Sequence, residues 1–474
     1  MRNTMKKAAL FLLAALTIAS CSKDDDDNNN GNQSTLEVLE GNLTTRTLTA
    51  DKKYLLRGQV FVRNGQTLTI EPGTVIFGDR RTRGTLIIDR GGKIIANGTA
   101  SRPIVMTSSV EEGLRDRGDW GGLVILGNAA CNQIDPAVEG IDPPVFFGGN
   151  PGNTTSASTP NNTESSGELR YVRVEFAGIE LSPNNETNSI TMGGLGSGTV
   201  MEYCMVSFGG DDGFEWFGGT NNGKYLISFA MWDDDFDVDF GWSGNVQFGL
   251  AVRYPGYADQ SGSNGFETDN GPNDNDVQPY TAGVFSNVTI VGPINSGSSV
   301  SNANFQHAID ARRRTALSIF NSFLTGFPRG LRFNQPSVMT NYQNGTGVLA
   351  NNILIAASSS NRYLAGSGVS ADSVRAYWEA NNQTFVGIND STHNHWGLNP
   401  NVFYGNRLPE QYSGATFTVQ AGKPLLSGAS FAHPKFNEPG RANFFDKNVT
   451  FRGGFGTTDW TAGWAEFNPI NKKY

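Results

Sequence analysis

Gly213-Phe214-Glu215-Trp216-Phe217, Asp235-Phe236-Asp237-Val238-Asp239, Gly265-Phe266-Glu267-Thr268-Asp269, Ala308-Ile309-Asp310-Ala311-Arg312 and Gly330-Leu331-Arg332-Phe333-Asn334 are five versions of one short pattern. Their period is two, so each is a strand: Phe214, Phe236, Phe266, Ile309 and Leu331 share one face, and Glu215, Asp237, Glu267, Asp310 and Arg332 share the other. A second apolar strand precedes most copies, at Tyr171 to Ala177, Tyr203 to Phe208, Tyr225 to Met231, Phe248 to Arg253, Phe285 to Val291 and Leu317 to Leu324.

Working outward, residues 36 to 107 repeat the theme with short apolar segments closed by Asn64-Gly65, Pro72-Gly73, Gly91-Gly92 and Asn97-Gly98. Strands every 8 to 12 residues with no helix between them make either a sandwich or a coil of parallel strands. Continuous apolar strands such as Leu86-Ile87-Ile88 and the lack of hairpin alternation favour the coil. With 58 glycines, 17% charged residues and 30 phenylalanines, the composition suits strands and tight turns. The formal charge of −9 argues against nucleic acid as a partner.

Ile134 to Gly167 interrupts the strands with Pro, Asn, Thr, Ser and Gly and reads as a long loop. Shorter insertions follow at Tyr254 to Asn264, Gly271 to Tyr280 and Gly292 to Asn304, where binding surfaces are expected. Ser370 to Asn381 is the one clear helix signal.

The chain begins with a basic stretch (Arg2, Lys6, Lys7), an apolar run from Ala8 to Ala19, and Ile18-Ala19-Ser20-Cys21, which resembles a bacterial lipobox. Residues 1–20 are thus expected to be a signal peptide too short to span a bilayer, with Cys21 lipidated. Residues 21–35 form a tether whose Asp24 to Asp27 run resembles the export signal of Bacteroidota surface lipoproteins. The expected location is the outer membrane, held by lipid alone and facing the exterior. A solvated linker on a periplasmic lipoprotein is the alternative. Cys131 and Cys204 stand in unlike contexts and are expected as two buried thiols rather than a disulfide.

Leu86 to Ser108 resembles the opening coils of right-handed parallel β-helix proteins of bacterial envelopes. Asp119 to Ala129 is similar to a recurrent segment of those proteins, and Val449 to Gly456 with Trp460 to Pro469 resembles their closing motif. The resemblance implies an all-β, right-handed parallel β-helix over residues 36–356, with looped insertions and a C-terminal extension, 357–474, that caps the open end. It implies no settled activity.

Stacked coils put equivalent positions about 4.8 Å apart. Glu215, Asp237, Glu267 and Asp310 then form one ladder, and Asp239, Asp269 and Arg312 a second. Neighbouring carboxylates at that spacing repel by roughly 1 kcal/mol in water and about 3 to 4 at an effective dielectric of 20. Arg312 and Arg332 can offset this, or a hard cation such as Ca²⁺, with Asp211, Asp212, Asp233 and Asp234 adding oxygens. Three readings follow: a groove for a divalent metal or an extracellular glycan, a catalytic carboxylate pair, or a structural ion-pair ladder. The catalytic reading, a polysaccharide lyase or glycoside hydrolase for acidic polysaccharide, comes from likeness to β-helix pectate lyases and polygalacturonases, although the polygalacturonase Asp, His and Arg-x-Lys set is missing at matching positions. An accessory lipoprotein docking on an outer-membrane receptor is a further alternative. His393, His395 and Asp390 have metal-ligand spacing but read better as a polar loop.

Overall fold

In the computed structural model the five copies lie side by side as parallel strands in the expected register. Phe214, Phe236, Phe266, Ile309 and Leu331 stand opposite one another, as do Glu215, Asp237, Glu267, Asp310 and Arg332. The structure describes residues 36–182, 185–294, 302–399, 402 and 416–474. The signal, Cys21 and the tether fall outside these residues.

Each central coil consists of a long strand, a turn and a short strand. The long strands Gly167–Glu175, Val200–Ser207, Asn222–Phe229, Asn245–Val252 and Val284–Val291 pair in parallel. They begin a few residues earlier than expected because each is bent at a left-handed residue that alternation alone does not reveal. Tyr171, Tyr203, Tyr225, Phe248 and Asn287 have φ of 50°, 54°, 58°, 65° and 58°, a conformation costing roughly 1–2 kcal/mol for a side chain with a Cβ. The bend turns a corner, so the long strands supply two faces of the solenoid and the short strands the third. Asn321 and Asn351, at φ 52° and 61°, continue the corner.

Inside the coil, Phe214 stacks on Phe236 and Phe236 on Phe266, with centroids 5.9 and 5.4 Å apart. Trp216, Trp242 and Phe285 close around them, all 1% exposed or less. Such pairs add about 0.5–1.5 kcal/mol each beyond burial. The result is a right-handed parallel β-helix, all-β as expected.

The solenoid runs further than residue 356. Tyr363–Ala365 pairs with Arg329–Phe333, and Gln383–Val386 pairs with Ile353–Ala356. Among the described residues three α-helices decorate the late coils: α1 (Pro336–Gln343), α2 (Ala371–Glu379) and α3 (Asp390–Trp396). Helix α2 is the expected one, capped by Ser370 accepting from Ser373 N. The other two are too short to show a period. His393 lies in α3, not on a loop, with Nε2 3.1 Å from Thr325 Oγ1.

Residues 416–474, expected over the open end, lie along the bent corner instead. Gly453 N donates to Asn321 O at 2.7 Å, Asn287 Nδ2 to Phe451 O at 2.8 Å and Arg173 Nη1 to Trp464 O at 3.0 Å. Between Arg441 and Gly453 the strap advances from Asn245 to Asn321. From there the later residues reach the earlier coils, Trp460 at Tyr225 and Trp464 at Tyr203, so this part runs antiparallel to the solenoid's direction. What the strap covers is the corner's column of aromatic rings.

Cys131 and Cys204 are buried thiols in different clusters. Cys204 is in the main core. Cys131 is in an outer one where Val138, Ile141, Val145 and Phe147 of the long loop cover Phe61, Ile87 and Val124.

Candidate functional site

The short strands present Thr191, Glu215, Asp237, Glu267, Asp310 and Arg332 outward, one per coil. Two residues before each strand's first core residue lies a second column: Asn188, Asp212, Asp234 and Asn264. It has its own bonding rule. Asp212 Oδ1 accepts from Asp234 N at 2.7 Å, Asp234 Oδ1 from Asn264 N, and Asn264 Oδ1 from His307 N at 3.0 Å. An Asn suffices for that bond, so the carboxylates of Asp212 and Asp234 supply a charge that the backbone does not require.

The two columns converge. Oxygens of Asp211, Asp212 and Asp233, of Asp212, Glu215 and Asp237, and of Asp234, Asp237 and Glu267 lie within 4.8 Å of one another in each trio. Asp212 and Asp237 each belong to two trios. Asp212, Glu215, Asp237, Asp239, Glu267 and Asp269 line a cavity of about 300 Å³, in which nine carboxylates face only two guanidiniums, Arg312 and Arg313. Phe147, Phe217 and Phe240 and the loop residues Glu139 and Pro272 form its rim. Asp211 and Glu186 also line a neighbouring cavity of about 650 Å³ that includes Arg117, Trp232, Asp233 and Asp259. The Arg117 guanidinium lies 3.4 Å over the Trp232 ring.

Burial, and then the neighbouring carboxylates, push Asp211, Asp212, Glu215 and Asp237 well above the usual carboxylate range. Burial raises Asp233 to about 6. The arginines relieve only one end. Arg312 donates to Asp269 from Nε at 3.1 Å and from Nη2 at 2.6 Å, and it also pairs with Glu267. Arg313 Nη1 reaches Asp269 at 2.8 Å. Asp310 and Arg332 form a pair of their own, with Nε 2.7 Å from Oδ1, and do not line the cavity. Of the ten residues expected at the groove, eight line one of the two cavities and two make a closed ion pair beyond it.

Among the described residues, three buried polar atoms lining the groove have no hydrogen-bond partner, Asp237 Oδ1, Asn188 Oδ1 and Thr187 Oγ1, and Asp233 Oδ1 in the neighbouring cavity is a fourth. Asn188 is 5% exposed, and its Nδ2 is committed to Thr191 Oγ1 at 3.2 Å and to Glu215. A buried carboxylate or amide oxygen without a donor costs roughly 1–3 kcal/mol, and hard cations take oxygens of this kind. The donor set therefore fits a calcium-like ion.

Sequence reading missed Asn188, Thr191, Glu186 and Glu139. Ser189-Ile190-Thr191-Met192-Gly193 is a sixth copy of the repeat with threonine in the acid's place, and aligning it would have found Asn188 and Thr191. Glu139 and Glu186 come from loops with no periodic signal.

No curated protein and no solved structure matches the chain. Its parallel coils, with one outward face bearing chemistry and long loops at the rim, agree with the family comparison: residues 41–399 match the pectate-lyase-like β-helix domain, and the chain belongs to that family.

Proposed function

We propose that the carboxylate groove binds a divalent cation of the calcium type and, through it, an extracellular glycan. The observation that carries this reading is the overlap of three carboxylate trios through Asp212 and Asp237, in a groove where Asp237 Oδ1 and Asn188 Oδ1 lack donors. Nine acids against two arginines leave an excess of negative charge that a structural ion-pair ladder would not need. A bound cation would neutralise that excess and offer open coordination positions to sugar hydroxyls or uronate carboxylates. The aromatic rim of Phe147, Phe217 and Phe240 supplies apolar surface beside it.

The N-terminal sequence supports, within the same proposal, a lipid anchor at Cys21 and display on the outer membrane. Metabolic labelling with palmitate, lost in Cys21→Ser, tests that part.

Calorimetric titration of calcium into residues 36–474 tests the groove, with the Asp237→Asn/Glu267→Gln variant as control. Micromolar binding that the variant loses is expected, followed by calcium-dependent retention on acidic polysaccharide. Absence of calcium heat in the wild type would overturn the reading. Reducing ends or unsaturated uronates released from the same polysaccharide would make the protein an enzyme, with Glu215 and Asp237 the first pair to substitute.

A further inference from the structure

Across the coil from the acidic strands, the bent corner carries a column of rings. Tyr171, Tyr203, Tyr225 and Phe248 stack with successive centroids 4.4, 4.3 and 5.0 Å apart and interplanar angles of 7°, 7° and 19°. The strap touches this column at intervals. Trp464 meets Tyr203 edge-on at 6.0 Å, Trp460 meets Tyr225 at 5.4 Å, and Phe451 lies 5.9 Å from Phe248. Between the strap and the column is a cavity of about 520 Å³, within the range of ligand pockets. Tyr203, Tyr225, Phe248, Phe451 and Trp460 line it, together with Asp446, Thr450, Thr457 and Thr458. Among the described residues no basic side chain contributes to the lining, and none is shared with the acidic groove.

We propose that this cavity is a second binding site, for a neutral pyranose sugar of an oligosaccharide. The available part of each ring decides which ligand fits. The faces of Tyr203 and Tyr225 are closed by their stacking neighbours, so the column presents ring edges and phenol hydroxyls. Ring edges are the positive part of the quadrupole; they suit sugar oxygens and disfavour a cation, which needs a ring face. The threonine hydroxyls and Asp446 add acceptors and donors for sugar hydroxyls. One face of Trp460 is closed by Phe455, stacked on it at 4.7 Å and 4°, so Phe451 and the remaining surface of Trp460 give the apolar contact for the C–H face of a pyranose. The missing basic groups disfavour a uronate or phosphate.

The test is calorimetric titration of residues 36–474, in EDTA, with maltohexaose, cellohexaose and mannohexaose as separate probes. One of the three is expected to bind wild type and Asp237→Asn equally, because the site owes nothing to the acidic groove. Thr457 and Thr458 are exposed, so Thr457→Val/Thr458→Val should fold normally and weaken binding on the order of tenfold by removing two hydrogen bonds. Trp460→Phe should weaken it as well, with an unchanged circular dichroism spectrum. The proposal fails if none of the three sugars binds, or if the threonine and tryptophan variants bind as the wild type does. It fails also if binding needs calcium and is lost in Asp237→Asn, or if tetramethylammonium binds in place of sugar. The first of these leaves the acidic-groove reading untouched, since that stands on calcium heat.

Discussion

Replacing Asp237 by asparagine should stabilise the metal-free protein, against the usual effect of changing a buried residue. Asp237 has Glu215 and Glu267 on either side in register, with oxygens within 4.8 Å in its two trios. Each full charge pair at that separation costs about 3.5 kcal/mol at an effective dielectric of 20 and about 0.9 in water. Partial protonation, which the raised carboxylates already allow, reduces what can be recovered, so we expect a gain of about 1 to 3 kcal/mol. Calcium should invert the order. Wild type gains about 2.7 kcal/mol when free calcium is a hundred times Kd, and a variant that does not bind gains nothing. Urea unfolding followed by tryptophan fluorescence, in EDTA and in saturating calcium, reads both values. If Asp237→Asn is less stable than wild type in EDTA and shows the same calcium shift, the acidic columns do not repel as argued and the cation site is refuted.

Other perturbations probe separate parts of the molecule. Burial raises the folded-state pKa of Asp233 and Asp235 to about 6, so the folded state binds protons more tightly than the unfolded one. Metal-free stability should therefore fall as pH rises from about 4 through about 6, and a denaturation series from pH 4 to 7.5 checks the sign. Arg253 pairs with Asp235 at 3.3 Å, both fully buried; Arg253→Met strands that carboxylate and should cost about 3–5 kcal/mol at pH 7, less at pH 5 where Asp235 takes up a proton. Trp464, the strap residue that meets Tyr203, is 1% exposed; Trp464→Ala should cost about 3–5 kcal/mol and make residues 416–474 sensitive to limited proteolysis while the coils still resist.

The repeat around Phe214 carried most of the fold because a period of two in stacked strands leaves little freedom of register: a one-residue slip would bury Asp237 and expose Phe236. For the same reason the outward ladder from Glu215 to Arg332 could be read residue by residue. What pairs with what along it could not. Arg332 sits beside Asp310, and Arg312 reaches back to Asp269 and Glu267, because a guanidinium's reach spans a coil and side-chain direction is not encoded in spacing. The left-handed bends at Tyr171, Tyr203 and Tyr225 were invisible too, since non-glycine residues seldom adopt that conformation and bulky ones least of all. Here ring stacking offsets the local cost, and stacking is a relation between coils that no single segment displays. An open solenoid edge is the more familiar liability, so the C-terminal extension reads as an end cap, and nothing in 416–474 tells which surface it will meet.

That strap also acts as a ruler. Solenoids usually tolerate gain or loss of a repeat, since each unit touches only its neighbours. In this chain Trp464, Trp460 and Phe451 are spaced to meet Tyr203, Tyr225 and Phe248 on three successive coils. Inserting one coil among them would move every later coil by about 4.8 Å, so that each strap ring beyond the insertion would meet the coil before its present partner. The number of central coils is thereby fixed by a measuring edge laid outside them, so that a lineage of such proteins can vary in its loops far more readily than in its length.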